Sequence, residues 1–258
     1  MSKVYFVGCG PGDPDLITVK AKKLIQNADV VVYSGSLIPS EILKLCKKSK
    51  AYDAAKLVRE EIFELLKKNA KKGKKVVRLH DGDPSIYGAI REQMDNLQEE
   101  KIDSVIIPGV TSFLASAAAL GVQLTLPGVT QTMIISRAEK RTKVPKREKI
   151  SELAKHRATM IFYLSVHLLS SIVKESLAGG YQKSTPVGVV YRASWADEKI
   201  ITGTLETITK RVRDQKITRT AIIIIGDVIK PKSYEYSRLY DKSFSHGFRK
   251  AHSKSSKN

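Results

Sequence analysis

The sequence of 258 residues predicts an α/β protein made of two αβα lobes, with a ligand site in the cleft between them. Strand and helix patterns alternate through residues 1–121, which is typical of a mostly parallel sheet covered by helices. The pattern changes after Pro127-Gly128, and this predicts a second lobe with a mixed sheet in residues 122–229. Glycine-rich turns end several of the strands. In open parallel sheets, ligands bind at that edge.

The first lobe is expected to contain four strands, because four short runs are almost continuously apolar and rich in Val and Ile. These runs are 3–7, 29–33, 74–79 and 104–107. Helical patterns occupy 19–27, 56–70, 86–98 and 111–120. Gly73 follows the second helix as a helix-stop glycine.

The second lobe is expected to contain five strands with helical stretches between several of them. They are predicted at 130–136, 159–164, 187–191, 199–202 and 220–225. The segment between the third and fourth of these strands is too short for a crossover helix, so the two should pair antiparallel. Residues 230–258 lose this periodicity and form a basic tail that we expect to be disordered at its end.

The net charge of +19 admits three explanations: a nucleic-acid partner, a polyanionic small substrate, or a lysine-rich surface. No apolar run approaches the roughly 20 residues that span a bilayer, and the first strand begins without an apolar leader. We therefore expect a cytoplasmic protein without a membrane partner.

Cysteines and histidines do not indicate a metal site. Cys9 and Cys46 are too few for a disulfide framework or a metal cluster. Cys9 lies in a glycine turn without a neighbouring histidine, so a small packing residue is favoured over a nucleophile. The five histidines lack metal-ligand spacing, and we expect no metal held by the protein.

The first glycine turn, residues 8–14, is the most informative segment of the chain. Gly8 and Gly10 match the first two glycines of a dinucleotide-binding turn, but Asp13 stands where the third should be. Asp13 and Asp15 would repel a pyrophosphate, whereas a rigid turn that offers carboxylates suits a cationic or polar ligand. Asp13 is our candidate to orient a substrate or remove its proton; the alternative is that it only caps the following helix.

Three more turns share this layout, because each follows the end of a predicted strand. They lie at 79–88, 108–112 and 191–194. Together with the first turn they resemble, in order and spacing, the tetrapyrrole (corrin/porphyrin) methyltransferase family, whose members use S-adenosylmethionine. The resemblance covers about residues 3–227. It departs from the family pattern at Cys9 and at 34–36.

Segments 136–145 and 189–199 resemble the branch of this family that methylates C11 of precorrin-4. The tail at 237–249 is similar to the ending of the cobalt-first, anaerobic branch. The implied reaction converts (cobalt-)precorrin-4 to (cobalt-)precorrin-5 in corrin biosynthesis, and the family implies a homodimer.

The resemblance implies that S-adenosylmethionine binds folded between the lobes and leaves as S-adenosylhomocysteine. The residues expected to contact it are Pro11, Asp81, Gly82, Asp83, Ile86, Thr111, Ser112, Leu164 and Ala193. The substrate carries carboxylates around its rim, which arginine can bind through two parallel hydrogen bonds. The residues expected to bind it are Arg137, Arg141 and Thr142, with Lys140 beside them; the alternative is a solvated basic loop.

Other functions stay open at this point. The same fold could methylate another precorrin position, an RNA or a protein, and the basic tail could serve a non-catalytic nucleic-acid-binding module. RNA-modifying relatives open with a Thr-Pro-Ile-Gly-Asn turn rather than Gly10-Pro11-Gly12-Asp13. The chain also lacks a basic patch interleaved with aromatic residues, so we expect no nucleic-acid partner.

Overall fold

The computed structural model describes residues 3–140 and 142–251, which form two five-stranded sheets. Arg141 and the end of the tail from 252 to 258 lie outside the described residues, and so do the predictions made for them. The predicted α/β class, with one parallel and one mixed sheet, is confirmed.

The first sheet is entirely parallel, with the strand order β3-β2-β4-β1-β5. Its strands are β1 (Val4–Gly8), β2 (Val30–Tyr33), β3 (Lys50–Asp53), β4 (Val76–His80) and β5 (Ser104–Ile107). Four of them were predicted. The sequence did not indicate β3, because this edge strand has exposed residues and no apolar run.

The helices of the first lobe are α1 (Val19–Gln26), α2 (Ser40–Leu43), α3 (Arg59–Lys71), α4 (Arg91–Glu99) and α5 (Ser112–Leu120). The predicted start of α4 at residue 86 is wrong. Tyr87 and Ala89 have φ angles of 56° and 48°, which a right-handed helix does not allow. The chain therefore forms an irregular turn up to residue 90.

The second sheet is mixed, with the order β6-β7-β10-β8-β9. Its strands are β6 (Met133–Arg137), β7 (Thr159–Tyr163), β8 (Pro186–Tyr191), β9 (Lys199–Thr204) and β10 (Ala221–Ile225). The helices α6 (Ile150–Leu153), α7 (Leu169–Ala178) and α8 (Ile208–Asp214) lie between them in the chain. The predicted antiparallel pairing of β8 with β9 is confirmed by a register that places Val190 opposite Ile200.

Helix α5 joins the two lobes. Its sequence is apolar on nearly all sides, which is typical of a helix buried between two layers. Phe113 and Ala117 pack against Ile161 and Ile224 of the second sheet. Because the short turn at 108–111 connects β5 to α5, this contact fixes the second lobe relative to the turns of the first.

Three backbone turns meet at Gly8, Gly82 and Gly109, which we call the glycine junction. A Cβ atom on Gly8 would lie 2.5 Å from the Gly82 carbonyl oxygen, and one on Gly109 would lie 2.1 Å from the same oxygen. Gly82 also exchanges backbone hydrogen bonds of 2.8 and 3.2 Å with Gly10. The carboxyl ends of β1, β4 and β5 can approach this closely only without side chains.

Substitution of Gly109 tests the glycine junction. Gly109→Ala should lower the free energy of unfolding by about 3 kcal/mol, since its methyl group meets backbone atoms that cannot rotate away. Gly247→Ala is the matched control, because a Cβ atom there has nothing within 4 Å. Urea unfolding of both variants measures the difference. Equal stability of the two would contradict the close approach.

Candidate functional site

A cavity of about 290 Å³ lies between the two lobes, and we call it the central cavity. The first lobe contributes the residues that follow its strands, among them Pro11, Asp81 and Ser112. The second lobe contributes the ends of β7 and β8 and the start of β10, including Leu164 and Ala193. Its position at the carboxyl edge of the parallel sheet matches the site that the glycine turns predict.

A smaller space of about 70 Å³, the side cleft, adjoins the central cavity. The two share five wall residues, namely Leu37, Asp81, Ser112, Tyr163 and Leu164. The side cleft is also lined by Gly82, Asp83, Ile86 and Thr111. Each of the nine residues predicted to contact the cofactor therefore lines the central cavity, the side cleft or both. Their contact with S-adenosylmethionine stays a prediction.

An outer basin of about 490 Å³ opens beside the central cavity. Its walls include Arg137, Lys140 and Thr142 of the basic loop. Leu164 lines all three spaces. This residue has a φ angle of 54° and is 62% exposed, so its side chain stands between the spaces instead of packing in a core.

Arg137 has a second role that the sequence did not indicate. Its guanidinium donates to the carbonyl oxygens of Thr142 and Lys143, at 3.0 and 3.3 Å. These hydrogen bonds stabilise the basic loop, residues 137–145, because they join its start to its middle. Two of the side chain's donors are thus engaged, and a bidentate clamp on a substrate carboxylate would have to use the remaining ones.

Asp83 ties the second glycine turn to the third. Its carboxylate accepts hydrogen bonds from the backbone N–H groups of Ser85 and Gly109, at 2.8 and 3.0 Å. Asp83 therefore caps a turn and not a helix, since α4 begins only at Arg91. Its carboxylate helps to hold the wall of the side cleft in place.

Asp13 lies in the first turn, outside the walls of the central cavity, the side cleft and the outer basin. Its carboxylate accepts a hydrogen bond from the Asp15 N–H at 2.8 Å, which is the capping alternative considered above. Its own N–H donates to the Ser194 hydroxyl at 3.0 Å. A catalytic role for Asp13 stays a prediction without geometric support from these contacts.

The loop after β8 crosses the cleft and binds the first glycine turn. The Trp195 indole N–H donates to the Pro11 carbonyl oxygen at 2.8 Å, and the indole ring covers Gly12, where a Cβ atom would collide with it. The Arg192 guanidinium lies 4.8 Å from the centre of this ring and forms an ion pair with Asp197. We call these contacts the interlobe clasp.

Tyr163 links the end of β7 to the start of α5. Its hydroxyl lies 2.5 Å from the Thr111 hydroxyl and accepts a hydrogen bond from the Phe113 N–H at 3.2 Å. Burial raises the pKa of Tyr163, so the phenol stays protonated at neutral pH. Burial also raises the pKa of Asp81. Like Tyr163, Asp81 lines both the central cavity and the side cleft, which we call the inner spaces.

Strand β4 carries two buried polar side chains, Arg78 and His80, of which His80 lines the side cleft. Arg78 donates to the carbonyl oxygens of Val32 and Leu79, and burial lowers its pKa to about 10. Burial and the nearby Arg78 charge lower the pKa of His80 to about 3, so its imidazole is neutral. Cys9 is fully buried and its pKa is raised by burial, which fits a packing residue and not a nucleophile.

Several cavity residues were missed by sequence reasoning. They are Leu37, Tyr163, Ser165, His167, Arg192 and the segment 218–222. For His167, the one available signal was its position after a predicted strand end. Within residues 3–140 and 142–251, no group of His, Cys, Asp and Glu side chains is arranged to hold a metal ion. In the same part of the chain, no helix combines the length and apolar character needed to cross a bilayer.

Known proteins resemble this chain over nearly its whole length. The sequence profile of the Tetrapyrrole (Corrin/Porphyrin) Methylases matches residues 3–209. A cobalt-precorrin-4 C(11)-methyltransferase of Methanocaldococcus jannaschii is 53% identical, and the match covers 98% of each chain.

Solved structures share the fold. A cobalt precorrin-4 methyltransferase of cobalamin biosynthesis is 45% identical with a TM-score of 0.85, covering 89% of this chain and 96% of that one. A uroporphyrin-III C-methyltransferase from Thermus thermophilus, complexed with S-adenosyl homocysteine, is 31% identical with a TM-score of 0.75. That match covers 91% of this chain and 96% of the other.

Trp195→Phe tests the interlobe clasp. The variant keeps a ring beside Arg192 but loses the hydrogen bond to Pro11, so the dissociation constant of S-adenosylhomocysteine should rise about three- to tenfold. Calorimetric titration measures this change. Tyr236→Phe is the control, because it removes a polar group from a tail ring that is 85% exposed. Unchanged affinity of Trp195→Phe would show that the clasp does not shape the cavity.

Proposed function

This chain belongs to the tetrapyrrole (corrin/porphyrin) methylase family, and we propose that it transfers a methyl group from S-adenosylmethionine to C11 of precorrin-4 or its cobalt-containing form. The product would be the corresponding precorrin-5, within cobalamin biosynthesis. One observation carries the proposal. The nearly full-length match to a cobalt-precorrin-4 C(11)-methyltransferase coincides with a central cavity that shares wall residues with a cationic basin.

The walls of the central cavity and side cleft suit the cofactor. At the glycine junction, main-chain groups border the cleft without side chains in front of them, so a ligand can approach the backbone closely. Asp81 supplies a carboxylate to both spaces, and carboxylates bind an ammonium or ribose hydroxyls. Leu164 and Ala193 supply apolar cover. When bound, S-adenosylmethionine supplies a methyl group already activated on a sulfonium.

The protein itself then has to position the methyl donor and the acceptor and to exclude water. Methyl transfer needs the substrate carbon, the methyl group and the sulfur in one line, and correct orientation can remove several kcal/mol from the barrier. Leu164 stands where the inner spaces meet the outer basin, and so it marks the place where the methyl group would pass from donor to acceptor.

The outer basin suits an anionic macrocycle. Arg137 and Lys140 place positive charge on its walls beside the Thr142 hydroxyl. The carboxylates at the rim of a precorrin match this charge. Binding of the substrate by Arg137, Arg141 and Thr142 is part of the proposal.

The proposal extends to assembly and location. Exposed apolar side chains on the edge strands β5 and β6, namely Ile106, Met133 and Ile135, support a homodimer, which sedimentation at twice the mass of the chain would verify. The buried free thiols of Cys9 and Cys46 support a cytoplasmic location. The absence of a nucleic-acid partner is also part of the proposal. Fractionation of cells and a gel-shift assay would check these two expectations.

A methyl-transfer assay tests the function. The protein is incubated with precorrin-4, with and without cobalt, and with S-adenosylmethionine labelled with ¹³C on the methyl group. We expect one labelled methyl group per macrocycle, with its NMR signal coupled to C11. Label at another ring carbon would contradict the position. No label in either substrate, despite binding of S-adenosylhomocysteine, would contradict the proposed substrate.

Substitutions in the basic loop test substrate binding separately from cofactor binding. Lys140→Ala and Arg137→Ala should each raise KM for the tetrapyrrole about tenfold, because each removes a cation from the basin wall. The affinity for S-adenosylhomocysteine should not change. Lys20→Ala removes an exposed cation from α1, outside all three spaces, and serves as control. A loss of cofactor affinity in the loop variants would contradict the placement of the substrate.

A further inference from the structure

His167 lies on the boundary between the central cavity and the outer basin. It belongs to a short 3₁₀ helix, Val166–Leu168, that follows β7. In the part of the chain that the structure describes, Leu164 and His167 are the two residues that line both spaces. His167 is the one of the two that can exchange a proton. The proposed reaction joins a donor in the cavity to an acceptor in the basin, so this boundary is where its atoms meet.

The backbone beneath His167 is firmly held, while its side chain is exposed. The buried Ser165 hydroxyl donates to the Tyr163 carbonyl oxygen at 2.6 Å and accepts from the Ala138 N–H at 2.7 Å. The Leu168 N–H donates to the Ser165 carbonyl oxygen at 2.8 Å. The backbone that carries the imidazole is therefore held in place, and the side chain borders the central cavity and the outer basin with access to solvent.

Methylation of a carbon atom requires that a proton leave. The substrate carbon donates an electron pair to the methyl group, the bond between methyl and sulfur breaks, and its electrons return to sulfur as the neutral thioether. The positive charge of the sulfonium has then moved to the macrocycle. Loss of one proton from the macrocycle restores its charge, and a side chain near the acceptor carbon can take that proton.

We propose that His167 accepts this proton through its neutral imidazole and then releases it to solvent. The inference rests on the proposed function. Histidine is the side chain most often used for this task, because it changes charge near neutral pH.

The other polar groups on these walls are less suited. Arg137 and Lys140 are cations and cannot accept a proton while charged. Arg192 and Arg219 in the central cavity have the same limitation.

Apart from His167 and the two arginines, five titratable residues among those described line the inner spaces, namely His80, Asp81, Asp83, Tyr87 and Tyr163, and none of them lines the basin. The Tyr163 hydroxyl is engaged by Thr111 and Phe113, and Tyr163 does not line the basin. Asp81 lines both inner spaces but not the basin. These five side chains are therefore separated from the side on which the macrocycle would bind. His167 faces that side.

Chemical rescue tests the proposal. With S-adenosylmethionine and (cobalt-)precorrin-4, His167→Ala should lose about 100-fold in kcat, with KM and the affinity for S-adenosylhomocysteine within threefold of wild type. Added imidazole should restore at least a tenth of the lost rate, in proportion to its neutral form. His167→Gln should lose the same rate without rescue, because its side chain fills the position. His156→Ala, an exposed histidine outside the three spaces, is the control.

Two results would overturn the role of His167. One is a kcat of His167→Ala equal to that of wild type and of His156→Ala. The other is a lost rate that imidazole does not restore in a variant that still binds S-adenosylhomocysteine, since this indicates a purely structural role. The proposed function is judged separately on the wild-type protein: absence of methyl transfer by the wild type contradicts that function, whatever the variants do.

Discussion

The close approach of three backbone turns at the glycine junction is the constraint on which the rest of the structure depends. Gly8, Gly82 and Gly109 bring the ends of β1, β4 and β5 to distances that no side chain would permit. The carboxylate of Asp83 then locks the second turn to the third by accepting the Gly109 N–H. Because α5 starts three residues after Gly109, the junction also sets the position of the helix that carries the second lobe. The position of the cavity therefore depends on these turns.

The second lobe completes the site with backbone conformations that are unfavourable for residues other than glycine. Leu164, Arg192 and Ser194 have φ angles of 54°, 47° and 68°, in the left-handed region that favours glycine. Each follows the end of β7 or β8 and lies on or beside the central cavity. Strained backbone of this kind persists where surrounding contacts hold it, and it is concentrated at functional sites. Here the interlobe clasp at Trp195 and the hydroxyl of Ser194 provide such contacts.

The sequence predicted the strands that carry an apolar run, and it missed features that depend on tertiary contacts. Apolar runs located the central strands, whereas the exposed edge strand Lys50–Asp53 carried no such pattern. Tyr87 reads as part of a helix, yet its ring packs 5.6 Å from that of Tyr163, a partner 76 positions away, in an irregular turn. The glycine turns located the site, but the position of His167 after a strand end did not suffice to place it there, because that placement depends on how the second lobe docks.

The two halves of the site use different parts of the chain, and this separation explains how one fold can serve several methyl acceptors. The side cleft is bordered by Gly82 of the glycine junction, where few substitutions fit. The outer basin is lined by side chains of the basic loop and of the segment after β7, which carry no such packing constraint. A residue such as Lys140, which lines the basin and neither inner space, can therefore change without disturbing the cavity proposed to receive the methyl donor. Acceptor specificity in this chain should reside in those two loops, and cofactor binding in the turns that oppose them.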